Sequence, residues 1–259
     1  MIFVNSLLIF VLGLVIGSFL SALTYRLGAG ISISKGRSIC PKCKSQIKFY
    51  DNIPLLSYLL LGGKCRSCRK KISIRYPLIE GLTAFLFLLI YLYLQNIANN
   101  LNWLFAYPTS LQLLIMFGIA AILLVIFITD FESQLIYDDL IILGYFLVSV
   151  LLIFSGDYTY SYFLSGVLAA DFFLFLNLIT RGRGMGLGDV YLALFMGTLL
   201  GDLSLPWLLI AFVSGAVVGI LLIIFGKAKF GRKIAFAPYM IFSFFVVCLL
   251  NLNYELFWF

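Results

Sequence analysis

The chain has 259 residues, 63% of them hydrophobic and only 11% charged, with a mean hydropathy of +1.10. Soluble domains carry about a quarter charged residues, so a single water-soluble core is excluded. The excess of 18 Lys and Arg over 11 Asp and Glu gives a net charge of +7, but the basic residues form no separate domain that could hold nucleic acid, and they read as a topology signal.

Histidine is absent, which removes Ser-His and Cys-His nucleophile pairs, His-ligated zinc and histidine proton relays. Lipid is the remaining solvent, and each helical span in it needs ~20 apolar residues. The expected fold is an all-α polytopic membrane protein with about eight spans: residues 2–25, 77–94, 111–129, 140–155, 160–179, 190–200, 205–226 and 235–252. The first has no Lys or Arg before Arg26 and reads as a permanent span rather than a cleaved signal. The sixth is short, and is expected to extend past Asp189 or to be met by local thinning of the bilayer.

With the N-terminus outside, loops 26–76, 130–139, 180–189 and 227–234 face inward. They hold 12, 0, 2 and 4 basic residues, which is all 18 in the chain. This segregation follows the positive-inside rule, and Trp103, Trp207 and Trp258 fall on the outer side, as in an interfacial aromatic belt. Both termini are then outside. No internal repeat is visible.

The 26–76 loop is the one sizeable piece outside the bilayer. It carries Cys40-Pro-Lys-Cys43 and Cys65-Arg-Ser-Cys68, two knuckles separated by 21 residues. Four thiolates so spaced suit tetrahedral Zn²⁺, and a reducing cytoplasm disfavours structural disulfides. Lys42, Lys44, Lys64 and Arg66 are expected to help ionise the thiols. A redox dithiol is the alternative, but no βαβ pattern surrounds the cysteines. Cys248, inside the last span, reads as a packing residue. Between the knuckles, residues 53–61 are apolar but too short to cross; they suit the module's own core, the inner leaflet or a substrate.

Ionisable groups in or beside spans are costly and default to functional candidates. Asp130 ends the third span and Asp189 opens the sixth, in Gly184-Met-Gly-Leu-Gly-Asp189. Both fall at inner helix ends, so they can meet at one depth. Gly186 and Gly188 let backbone come close to a neighbouring helix or an extended substrate. Two adjacent carboxylates share one proton, so one can act as base for water and the other as acid toward a carbonyl. Asp189, at a helix start, is the expected base and Asp130 the protonated partner. The plainer reading is that each only caps a helix. Asp171, mid-span, reads as a neutral hydrogen-bonded acid fixing helix contacts. Glu80 is expected to touch the cysteine module or polar groups at the inner rim, and Asp138 and Asp139 to cap the fourth span.

At these residues the chain resembles the bacterial type IV prepilin peptidases, membrane aspartyl proteases of the Gly-x-Gly-Asp type. The resemblance covers nearly the whole chain. It runs through Gly17-Ser-Phe-Leu20 with Tyr25-Arg26, both knuckles, Asp51-Asn-Ile-Pro-Leu-Leu-Ser-Tyr58 and Ser73-Ile-Arg-Tyr-Pro-Leu-Ile-Glu80. It continues through Asp130-Phe-Glu-Ser-Gln-Leu-Ile-Tyr-Asp138, Gly184–Asp189 and Lys233-Ile-Ala-Phe-Ala-Pro238. Ser21, Tyr137, Ala235 and Ala237 stand where the family usually has Asn, Pro, Pro and Gly.

The resemblance implies Asp130 and Asp189 as the catalytic pair, with Asp138 the fallback for Asp130. It also implies removal of the basic leader from prepilins or pseudopilins, just before their hydrophobic helix, at the cytoplasmic face of the bacterial inner membrane, and N-methylation of the new terminus with S-adenosylmethionine. The expected domains are a first transmembrane helix (1–25), a cytoplasmic zinc loop (26–76) and a membrane-embedded protease (77–259). Glu132, Asp138 and Asp139 beside Asp130 are expected to draw a Lys-rich leader. A transporter would need mid-bilayer acids and repeated halves. A non-catalytic zinc scaffold of a pilus or secretion machine explains the cysteines but not the paired aspartates.

Overall fold

Long apolar runs with few helix breakers become helices, because backbone polar groups in lipid must be satisfied within the segment. The computed structural model describes residues 2–32, 38–100, 110–155, 160–182, 184–226 and 235–257. Among these, nine α-helices are present: α1 (Ile2–Gly28), α2 (Leu56–Leu60), α3 (Arg75–Asn100), α4 (Ser110–Ser133), α5 (Asp138–Ser155), α6 (Tyr160–Ile179), α7 (Leu187–Leu200), α8 (Ser204–Ile224) and α9 (Ala237–Phe257). Each expected span lies on one of the eight helices other than the five-residue α2. Among the described residues five stretches are long and apolar enough to cross a membrane, one of them being 187–224, which Gly201 (φ +55°) breaks into α7 and α8.

The chain divides into two units, Met1–Val125 and Ile126–Phe259. In the first, α1 and α3 pack at very close range. A Cβ on Gly13 would stand 2.5 Å from the Ala84 Cα, and one on Gly17 would stand 2.7 Å from the Glu80 Cα. Glycines four apart on one helix face allow such approach. The Arg75 guanidinium ties the same pair at its end, donating to the Thr24 hydroxyl at 2.8 Å and the Ser21 carbonyl at 3.2 Å. Phe87 of α3 stacks on Phe117 of α4 with centroids 4.3 Å apart.

In the second unit, α6 buries Gly166, Ala169 and Phe173. A Cβ on Gly197 of α7 would meet the Gly166 Cα at 2.9 Å. The α7 helix, which extends through Asp189, is buried at most positions from Val190 to Leu200; helices enclose it, so its length need not match the hydrocarbon thickness.

Two expectations are corrected here. Trp207 is fully buried and its indole N–H donates to the Met240 carbonyl at 2.8 Å, so it joins α8 to α9 rather than standing in a lipid-facing belt. Trp103 and Trp258 lie outside the described residues. Asp171 is exposed on α6 and has no hydrogen-bond partner among the described residues, because the helix turns its opposite face to α7. It does not fix helix contacts within the chain.

Candidate active site and metal centre

Asp130 lies in the last turns of α4 and is 5% exposed. Its Oδ2 accepts the N–H of Ala237, the first residue of α9, at 3.0 Å. The first N–H groups of a helix have no partner inside it, and the positive dipole end favours an anion; Asp130 therefore caps α9 from another helix. Asp189 is the third residue of α7, and its Oδ2 accepts the N–H of Gly186 at 3.0 Å. Both carboxylates belong to the Ile126–Phe259 unit. Each thus has Oδ2 held by a backbone N–H at a helix start, and Oδ1 is left for other work.

The glycines of the motif have separate tasks. Gly186 is extended (φ −82°, ψ 158°) and supplies the N–H. Gly188 makes room: a Cβ there would stand 3.0 Å from the Ile136 Cβ, in the short connection from α4 to α5. The return from α6 to α7 is fixed by the Asn177 amide, which donates to the Met185 carbonyl at 2.6 Å, and by Gly182 (φ +70°), whose N–H donates to the Asn177 carbonyl at 2.8 Å. An open groove of about 600 Å³ runs beside Asn177, Leu178, Met185, Gly186 and Leu187. Asp138 and Asp139 stand exposed in the first turn of α5, and Glu132 is exposed at the end of α4.

The Ala237 N–H, Asn177 and Ile136 were not found by sequence reasoning. The Ala-Phe-Ala-Pro stretch was visible as a motif, but its job, starting a helix against Asp130, depends on a contact across 107 residues. Lys233 of that motif lies outside the described residues. Glu80 is where it was expected: buried, accepting the N–H of Leu55 at 2.9 Å. It holds a turn in which Leu55 has φ +58°.

The four cysteines come together in the first unit. Their sulfurs all lie within 4.8 Å of one another, against about 3.8 Å between ligands of a tetrahedral zinc with 2.3 Å bonds. The cluster can hold a metal ion. The two knuckles are copies of one turn. In each, the N–H after the second cysteine returns to the first (Lys44 to Cys40 at 2.8 Å, Arg69 to Cys65 at 2.9 Å). Lys44 (φ +59°) and Arg69 (φ +56°) share the left-handed conformation, and the flanks pair as Ile39 with Gln46 and Lys64 with Lys71.

The thiols divide their protons unequally. Hydrogen bonds from Ser45 hold Cys43 down to about 6. Against the Lys70 backbone N–H, which pulls the other way, burial and the neighbouring sulfurs push Cys68 up to about 11. Two of the cations expected to ionise the thiols do other work. Arg66 forms a two-point pair with Asp51 (2.6 and 2.8 Å), and Lys42 joins the knuckles by donating to the Lys71 carbonyl at 3.0 Å.

Comparison with known proteins identifies the family. Residues 11–94 match the bacterial peptidase A24 N-terminal domain, and residues 117–222 match the type IV leader peptidase family. The chain is similar to the prepilin leader peptidase/N-methyltransferase of Neisseria gonorrhoeae, at 34% identity over 88% of this chain and 84% of that protein. The protein of the same name from Stutzerimonas stutzeri is 32% identical over 89% and 85%. That of Vibrio cholerae is 31% identical over 95% and 96%. No solved structure matches the chain.

Proposed function

This chain belongs to the type IV leader peptidase family, and from that premise we propose that Asp130 and Asp189 cut the leader from type IV prepilins or pseudopilins. The observation that supports the assignment is two family-motif carboxylates in one unit, each anchored through one oxygen by a backbone N–H at a helix start.

In the proposed mechanism the two carboxylates hold one proton between them. Asp189 accepts a proton from water, whose oxygen adds to the scissile carbonyl, while the proton on Asp130 passes to the carbonyl oxygen. Collapse of the tetrahedral intermediate breaks the C–N bond: the leaving amine takes the proton gained by Asp189, and a hydroxyl proton of the intermediate returns to Asp130, which restores the pair. The N–H groups of Ala237 and Gly186 keep both carboxylates in place through the cycle. The aspartates lie in the 126–259 unit, to which we assign proteolysis. The distribution of basic residues supports an orientation with their end of the helices in the cytoplasm and both termini outside.

Zinc fits the cysteine cluster: four thiols, mutually close, on paired knuckles. Cys40, Cys43, Cys65 and Cys68 would hold it, and bound zinc would lock the two knuckles into one rigid unit.

Methyl transfer is proposed from the family alone. Neither groove described fits S-adenosylmethionine: the one beside Gln46 and Tyr50 is about 250 Å³, small for a ligand of that size, and the one beside Asn177 has no acid in its lining to hold a ribose. No residue is assigned to that step.

The scaffold reading gives no reason for an acid pair held by two helix starts. The test is leader removal from a prepilin by purified protein. Asp130→Asn and Asp189→Asn should each lower the rate by at least about 10³-fold while eluting as folded protein. Cleavage by either variant at near the wild-type rate would end the assignment.

A further inference from the structure

Asp171 sits eleven residues after Tyr160 and eight before Ile179, about 16 and 12 Å from the two ends of α6, deep in a span. It is exposed and unpartnered among the described residues. An acid facing hydrocarbon alone is unfavourable, and intramembrane acids normally face a partner.

The same face of α6 presents Leu164, Leu168, Phe175 and Leu178, all exposed, the last two at 59% and 66%. With Asp171 these are spaced four, three, four and three residues apart, the pattern of a seam that receives one helix. At its cytoplasmic end the seam opens into the groove already described. Leu178 belongs to both, and Gly186, across the groove, holds Asp189. A helix laid on the seam would deliver the chain preceding it to the aspartate pair. A permanent occupant, such as a second copy, would close the groove at that end.

We propose that this face of α6 is the docking surface for the apolar helix of the substrate, and that Asp171 recognises a hydrogen-bonding group on that helix. The inference rests on the peptidase reading and names the part of the substrate that this site holds. Asp171 is a positioning residue; it takes no part in the chemistry.

The test uses the full-length protein in lipid nanodiscs, with a prepilin bearing a basic leader and an apolar helix. Asp171→Leu should raise KM about tenfold with kcat within twofold, whereas Asp171→Asn, which keeps the hydrogen bond, should stay within threefold of wild type. A short peptide that spans the cleavage site but lacks the helix should be cut equally by all three proteins. A benzophenone side chain at Phe175, in the Asp189→Asn background, should cross-link to the substrate helix, and one at Ile142 of α5 should not.

An unchanged KM for Asp171→Leu, or cross-links from Phe175 only to a second copy or to lipid, would overturn the docking surface while leaving the peptidase reading intact. Failure of the wild type to cut either substrate would overturn the peptidase reading and this inference with it.

Discussion

A buried carboxylate that caps a helix from outside is a structural element as well as a reactive one, and substitutions can separate the two roles. Asparagine at 130 keeps an oxygen for the Ala237 N–H, but alanine leaves a buried donor unsatisfied. Asp130→Ala should therefore be less stable than Asp130→Asn by about 1–3 kcal/mol, read as a lower midpoint of thermal unfolding in detergent, though both lack activity. Equal stability would mean that the Ala237 contact does not form.

Around the pair, Glu132, Asp138 and Asp139 are exposed and no basic residue lies between 130 and 139. We propose that this rim draws a Lys-rich leader before chemistry begins. Glu132→Gln combined with Asp139→Asn should raise KM for basic-leader substrates at low salt and leave kcat nearly unchanged. If KM at low salt does not move, the rim plays no part in capture. At this scale the sequence was informative about chemistry, since acids at span ends stand out against apolar surroundings. It was silent about Ala237, whose contribution is a backbone group that any residue but proline supplies.

Among the elements, the knuckles show local sequence writing local structure. Cys-x-x-Cys followed by a left-handed residue closes the same turn twice, at Lys44 and at Arg69, and the cysteine spacing alone was enough to expect a metal site. Zinc should copurify at about one ion per chain and fall sharply in Cys65→Ser, as elemental analysis will measure; a wild-type protein that carries iron, or no metal, would refute the assignment. The contact between α1 and α3 was also in the sequence, as Gly13 and Gly17 four residues apart, but went unread. Glycine spacing marks a helix-packing face only once a partner helix is known, and here the partner is identified by Ala84 and Glu80, whose Cα atoms a Cβ at Gly13 or Gly17 would meet at 2.5 and 2.7 Å.

For the molecule as a whole, basic residues confined to alternate loops predict orientation. Alkaline phosphatase fused after Asp202, in the turn between α7 and α8, should be active in cells, because the proposed orientation puts that turn outside. The same fusion after Arg181 should be inactive. The reverse pattern would turn the catalytic end outward and refute a cytoplasmic site.

The sequence by itself determined the membrane class, the positions of the helices and the cysteine cluster, because lipid forces each span to satisfy its own backbone and each knuckle closes within a few residues. Only the tertiary structure decided which way the helices face. A residue packed against another helix and one facing lipid are equally apolar, so hydropathy could not tell that Trp207 is enclosed, that Asp171 is on an open seam, or that the start of α9 meets Asp130.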